Sequence, residues 1–149
     1  MFKGIPLIKQ KVTNLDNPGN YKILDVASNL TLYRFARIIV KAFHFDFDHA
    51  FGFYNNIDDH YRSTKIFELF SDMPDVEHTP GAQGVKRFFM VSDLYKEDDT
   101  FLFLFDYGDG WRFKLEFLDD SEKVYHVPDS YYKIFESHGE DPEQYPNYD

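Results

Sequence analysis

Apolar and polar residues alternate from Leu7 to Val12 and again from Tyr21 to Val26, the period of a half-buried strand. Between them, Asn14-Leu15-Asp16-Asn17-Pro18-Gly19-Asn20 is turn chemistry, so the two runs read as consecutive strands. The period then lengthens. Leu32, Phe35, Ala36, Ile39, Ala42 and Phe43 recur at helical spacing behind Thr31, whose hydroxyl can cap a helix start. Arg34, Arg37 and Lys41 fall on the other side of that helix, where they form either a solvated face or a docking edge for an acidic partner.

From His44 to Tyr54 aromatic and polar residues alternate, and Ala50 to Tyr54 reads as a strand. Asn55 to Arg62 is polar and reads as a loop, whereas Ile66-Phe67-Glu68-Leu69-Phe70 is too short for its period to separate helix from strand. Thr79 to Gly84 reads as a mobile loop, Val85 to Val91 as a strand, and Ser92 to Tyr95 as a short capped turn. Phe101-Leu102-Phe103-Leu104-Phe105 is apolar on both faces, as a central strand requires. Asp106 to Gly110 breaks it, and Trp111 to Phe117 alternates cleanly, which predicts a β-hairpin in the C-terminal part of the chain. Tyr131 to Ser137 is expected to form a short helix before an acidic tail. Neither a repeat nor a linker interrupts the 149 residues, so one α+β domain over 1–149 is expected.

Composition narrows the chemistry. With no cysteine, disulfides, thiolate metal sites and a Cys nucleophile are excluded. The 17 Phe and 11 Tyr supply a core, so the acidic balance is not a mark of disorder. Lys and Arg number 16 against 26 Asp and Glu, a formal charge of −10 that repels phosphate backbones and anionic lipids. Direct nucleic-acid or membrane binding is therefore not expected. The segment Met1 to Ile8 holds no apolar run of signal or membrane-spanning length, so a soluble, cytoplasmic protein is expected.

Two segments carry a family resemblance. The first comprises Leu30-Thr31-Leu32 followed by Ala42 to Phe53, which includes His44-Phe45-Asp46-Phe47-Asp48-His49. The second is Phe103-Leu104-Phe105-Asp106-Tyr107-Gly108-Asp109-Gly110-Trp111, an aromatic–Asp–aromatic–Gly–Asp–x–Trp string, with a faint echo in the tail at Gly139 to Glu143. Together they resemble the plasmid pRiA4b open-reading-frame-three-like family. The resemblance implies an α+β domain with a principal helix packed on one face of a mostly antiparallel sheet. Phe113 stands where many relatives carry a histidine two residues after the tryptophan, which weakens a metal or acid–base pair of histidines in this chain.

Asp106 and Asp109 have a structural role open to them, accepting backbone N–H groups in the turn while Gly108 and Gly110 supply positive φ and Trp111 anchors the hairpin. Alternatively they project beside His49 and hold a ligand or a hard cation. If His44 to His49 is extended, His44, Asp46 and Asp48 share one face and His49 falls with Phe51 and Phe53, but this spacing matches no established ligand motif, so neither a metal nor a cofactor is expected. Phosphate-cradling and nucleophile-elbow motifs are missing, and the five arginines follow no recombinase pattern. A noncatalytic binding or interaction module with a protein partner is the leading reading, with Tyr107, Trp111, Arg34, Arg37 and Lys41 as its contact residues. A small hydrolytic enzyme using His49, Asp106 and Asp109 is the second. An accessory protein of mobile-element nucleic-acid metabolism is the third.

Overall fold

Phe101 to Phe105 is apolar throughout because both of its faces are covered. It forms β5 (Thr100–Phe105), an inner strand of a seven-stranded sheet. The others are β1 (Ile5–Asn14), β2 (Tyr21–Ala27), β3 (Phe51–Tyr54), β4 (Ile66–Glu68), β6 (Trp111–Tyr125) and β7 (Tyr132–His138), in the order β4-β3-β5-β6-β1-β2-β7. Every neighbouring pair is antiparallel. The computed structural model describes residues 4–125, Pro128 and 131–146, the side chains of 120–125 excepted.

The principal helix, α1 (Leu32–Ala42), starts where the sequence places it, with Thr31 Oγ1 accepting the Arg34 N–H at 3.3 Å. Its apolar face lies on one side of the sheet. Phe35 stacks on Phe53 with ring centroids 5.9 Å apart, and Phe43 meets Phe113 at 4.7 Å. Phe35, Ile39, Phe103, Phe105 and Leu115 are buried in one core, with Phe117 packed at its edge. On the opposite face Leu102 and Leu104 pack with Tyr54, Ile57 and Tyr107 in a second, smaller cluster. The loop after β3 folds over that cluster and is held by Arg112, whose Nη2 donates to the Ile57 carbonyl at 2.7 Å. The short helical turn expected near Ser92 is α2 (Val91–Leu94).

Three local expectations are corrected. Tyr131 to Ser137 is not helical. Tyr132 to Ser137 belongs to the edge strand β7, paired with β2 from Tyr21↔His138 to Val26↔Tyr132. Every β7 residue is exposed, so no buried stripe marks its period. Val85 to Met90 is irregular rather than a strand and Val91 opens α2, because carbonyls of this segment are committed elsewhere: those of Val85 and Phe89 accept the Tyr33 and Leu32 N–H groups, at 3.1 Å each. They satisfy donors that the first turn of α1 leaves without intrahelical partners. His44 to His49 forms no strand either, and His44 turns the chain out of α1 in the left-handed region at φ 65°.

Candidate functional site

Two clusters of chemically competent side chains flank the β5–β6 turn, one on each side of the sheet. At that turn the left-handed positions are Asp106 (φ 63°) and Gly110 (φ 69°), so Gly108 does not supply the positive φ expected of it. Asp106 is buried, and its Oδ1 accepts the Gly108 and Asp109 N–H groups at 3.1 and 3.3 Å. Its other oxygen, Oδ2, lies 3.3 Å from His49 Nε2. The sequence therefore selected two residues that do meet, though through a turn rather than a strand face. Asp109 is exposed, and no described hydrogen bond or ion pair joins it to His49.

The first cluster is completed by residues of the C-terminal segment. His49 Nε2 is 2.7 Å from the Tyr145 hydroxyl, which donates to Asp48 Oδ2 at 2.6 Å. Because the phenolic proton goes to Asp48, the proton between His49 and Tyr145 is placed on Nε2. Asp48, accepting that bond, pushes the Tyr145 phenol up to about 12. Alongside, Gln144 accepts the Asp46 N–H at 2.7 Å and donates to the Asp46 carbonyl and to Asp48 Oδ1, both at 3.1 Å. Asp141 is bonded to Asn20 (2.9 Å), Lys22 (3.0 Å) and His44 (2.7 Å). Gly139 turns the chain at φ 77°, where a Cβ would come 2.6 Å from the Gly19 carbonyl oxygen. His49 and Asp106 thus anchor a strap, and Gly139 to Tyr145 is that strap. Among the described residues, no group of three His, Asp or Glu side chains is arranged to hold a metal ion.

The second cluster lies over the other face of β3. Tyr54 donates to Glu68, and the Tyr54 and Tyr107 hydroxyls are 2.7 Å apart. Since a carboxylate only accepts, the protons run from Tyr107 to Tyr54 to Glu68. Gly52 permits this approach, because a Cβ there would stand 2.7 Å from both hydroxyl oxygens. Glu68 is only 4% exposed, and its Oε1 is buried with no described donor. Burial and the neighbouring Tyr107 and Glu68 raise the Tyr54 phenol far above its usual range, and burial raises Tyr107 as well. The His60 ring lies tilted against those of Tyr54 at 4.8 Å and Tyr61 at 4.1 Å, and Phe70 lies 5.1 Å from Tyr107. Burial lowers the His60 pKa below its usual value. These groups wall a cavity of about 240 Å³.

The remaining contact candidates are separated. Trp111 packs edge-on to Phe45 at 4.7 Å beside the main core, on the opposite side of the sheet from Tyr107, and its Nε1 is buried without a described partner. Arg34, Arg37 and Lys41 stand exposed on α1, with the Arg37 guanidinium 5.5 Å from the Tyr33 ring and 5.7 Å from that of Phe47. Sequence reasoning missed Tyr54, His60, Glu68 and Phe70. A glycine inside an apolar strand, Gly52, was the available signal of a close approach.

The family model described as plasmid pRiA4b ORF-3-like protein matches residues 14–143. The chain belongs to this family. The match takes in the α1 start, the Asp106–Trp111 turn and the strap through Glu143. A crystal structure titled protein of unknown function MM3350 from Methanosarcina mazei Go1 superposes with a TM-score of 0.72 at 15% identity, covering 97% of this chain and 74% of that one. At that identity the likeness speaks for the fold alone. No curated protein matches the chain. Among the described residues no helix is long and apolar enough to cross a membrane.

Proposed function

We propose that this protein is a noncatalytic binding module whose recognition site is the aromatic pocket over Gly52. The observation that supports it is the combination of aromatic walls with the hydroxyl relay ending on buried Glu68. Concave apolar sites with a few converging polar groups are where ligands bind. At about 240 Å³ the cavity suits a side chain or a small metabolite rather than a large cofactor. The reading keeps Tyr107 as a contact residue and leaves Trp111 to the core.

A fragment screen by ligand-observed NMR, with neutral, anionic and cationic members, tests it. Saturable binding is expected in the wild type and not in Gly52→Ala, whose methyl group pushes into both hydroxyls. Tyr61→Ala removes a wall residue that is 86% exposed and should weaken binding without unfolding the protein. A screen with no saturable binder would sink the reading.

The 3.3 Å contact between His49 and Asp106 favours a hydrolytic enzyme as the second reading. Turnover of chromogenic carboxylic or phosphoric esters, lost in both His49→Ala and Asp106→Asn, would establish it over the first.

A further inference from the structure

The walls and floor of the Gly52 pocket share a preference in charge. Tyr54, His60, Tyr61, Phe70 and Tyr107 present ring surface, and ring faces attract cations. Glu68 supplies the only acidic side chain of the lining. Its Oε2 takes the Tyr54 proton, while buried Oε1 has no described donor. A buried acceptor left unmatched costs about 1–3 kcal/mol, more when charged, so it is a place where a ligand's donor gains most. Both hydroxyl protons are directed along the relay toward Glu68, which leaves oxygen lone pairs rather than O–H donors for an incoming group. Arg112, whose charge is felt at His60, is bound to the Ile57 carbonyl at 2.7 Å. Burial lowers the His60 pKa, which favours its uncharged form. The formal net charge of −10 also draws cations toward the surface.

Resting on the binding-module reading, we infer that this pocket takes a small primary alkylammonium ligand, its N–H groups donating to the Glu68 carboxylate as that side chain turns Oε1 toward the cavity, and its stem lying between the aromatic rings. A primary ammonium fits better than a quaternary one because Oε1 needs a hydrogen-bond donor as well as a charge. Neutral alcohols of the same shape lack the charge, and carboxylates are repelled by Glu68.

Titrations of the whole protein at about pH 7.5, where an alkylammonium is fully charged, decide the matter. The probes are butylammonium, 1-butanol, butyrate and tetramethylammonium, read by chemical-shift changes at the Tyr54, Tyr107 and Gly52 amides. Butylammonium is expected to bind most tightly, and Glu68→Gln to weaken it about tenfold or more, the loss for one charge-assisted hydrogen bond. Tyr61→Ala, at an exposed position, should weaken it in a protein whose fold is unaltered. Equal or tighter binding of 1-butanol, butyrate or tetramethylammonium would overturn the assignment while leaving the pocket as a binding site. So would an unchanged affinity in Glu68→Gln. No saturable shift with any probe would overturn the assignment, and the fragment screen would then decide the binding-module reading separately.

Discussion

Asp106 is held in the left-handed region at φ 63° while its side chain accepts two backbone N–H groups and faces His49. Asparagine tolerates that conformation and keeps an oxygen of the same reach. Asp106→Asn should therefore cost about 1 kcal/mol or less in chemical denaturation. Asp106→Ala loses the turn bonds and adds a left-handed penalty of about 1–2 kcal/mol, so it should cost distinctly more. If the two variants were equally destabilised, the charge facing His49 would be the dominant contribution and the turn bonds a minor one. Thermal melts with magnesium, calcium, manganese or zinc are expected to show no shift. A shift lost in Asp106→Asn or Asp109→Asn would reverse that expectation. A hundredfold excess over the dissociation constant would raise stability by about 2.7 kcal/mol, which such melts resolve.

Among the elements, β5 and the C-terminal strap differ in what they ask of the solvent. Phe105 is fully buried, its ring beside those of Phe47 and Phe103, so Phe105→Ala should cost about 3–5 kcal/mol at any pH near neutrality. The strap depends on ionisation. Burial raises the Asp141 pKa, but the hydrogen bonds from Asn20, Lys22 and His44, with the Lys22 charge, outweigh it and bring it below 3.8. A carboxyl depressed on folding contributes stability that is complete above its unfolded pKa and is lost as pH falls through the folded one. Lys22 is 2% exposed, so Asp141→Ala leaves a buried cation poorly paired and should cost about 3 kcal/mol at about pH 6. That gap to the wild type should narrow once the pH drops below 3.8, and a gap constant down to about pH 2.5 would contradict the strap's dependence on the carboxylate. The same contrast explains what the sequence could disclose. The β5 run and the apolar stripe of α1 were legible because burial imposes a period on them. β7 was not, because all seven of its residues face solvent and its pairing is set by β2. His49 and Asp106 were found through the family string. Glu68 escaped notice because it meets Tyr54 and Tyr107 only once β3, β4 and the β5–β6 turn have assembled around Gly52.

For the whole molecule, the balance of charge governs which macromolecules can approach. Many cations are already engaged: Lys22 is buried against Asp141, Lys65 lies 3.2 Å from both Glu97 and Asp98, and Lys96 lies 2.8 Å from Asp93. Lys9 and Lys133 lie over the Phe135 ring at 4.2 and 4.6 Å. The stripe Arg34, Arg37 and Lys41 remains exposed on the outer face of α1, where a duplex contact would have to form against a formal charge of −10. Three neutralised phosphates would give a slope of about −2.7 in log affinity against log salt, and a sum of so few contacts is weak at physiological ionic strength. We therefore expect no measurable binding of labelled duplex DNA at about 0.15 M salt, as read by fluorescence anisotropy. Submicromolar binding that weakens with that slope and vanishes in an Arg34→Glu, Arg37→Glu, Lys41→Glu variant would overturn the expectation and bring the nucleic-acid accessory reading forward. Binding that survives the triple substitution would exclude α1 as the contact surface and require a basic face elsewhere on the molecule.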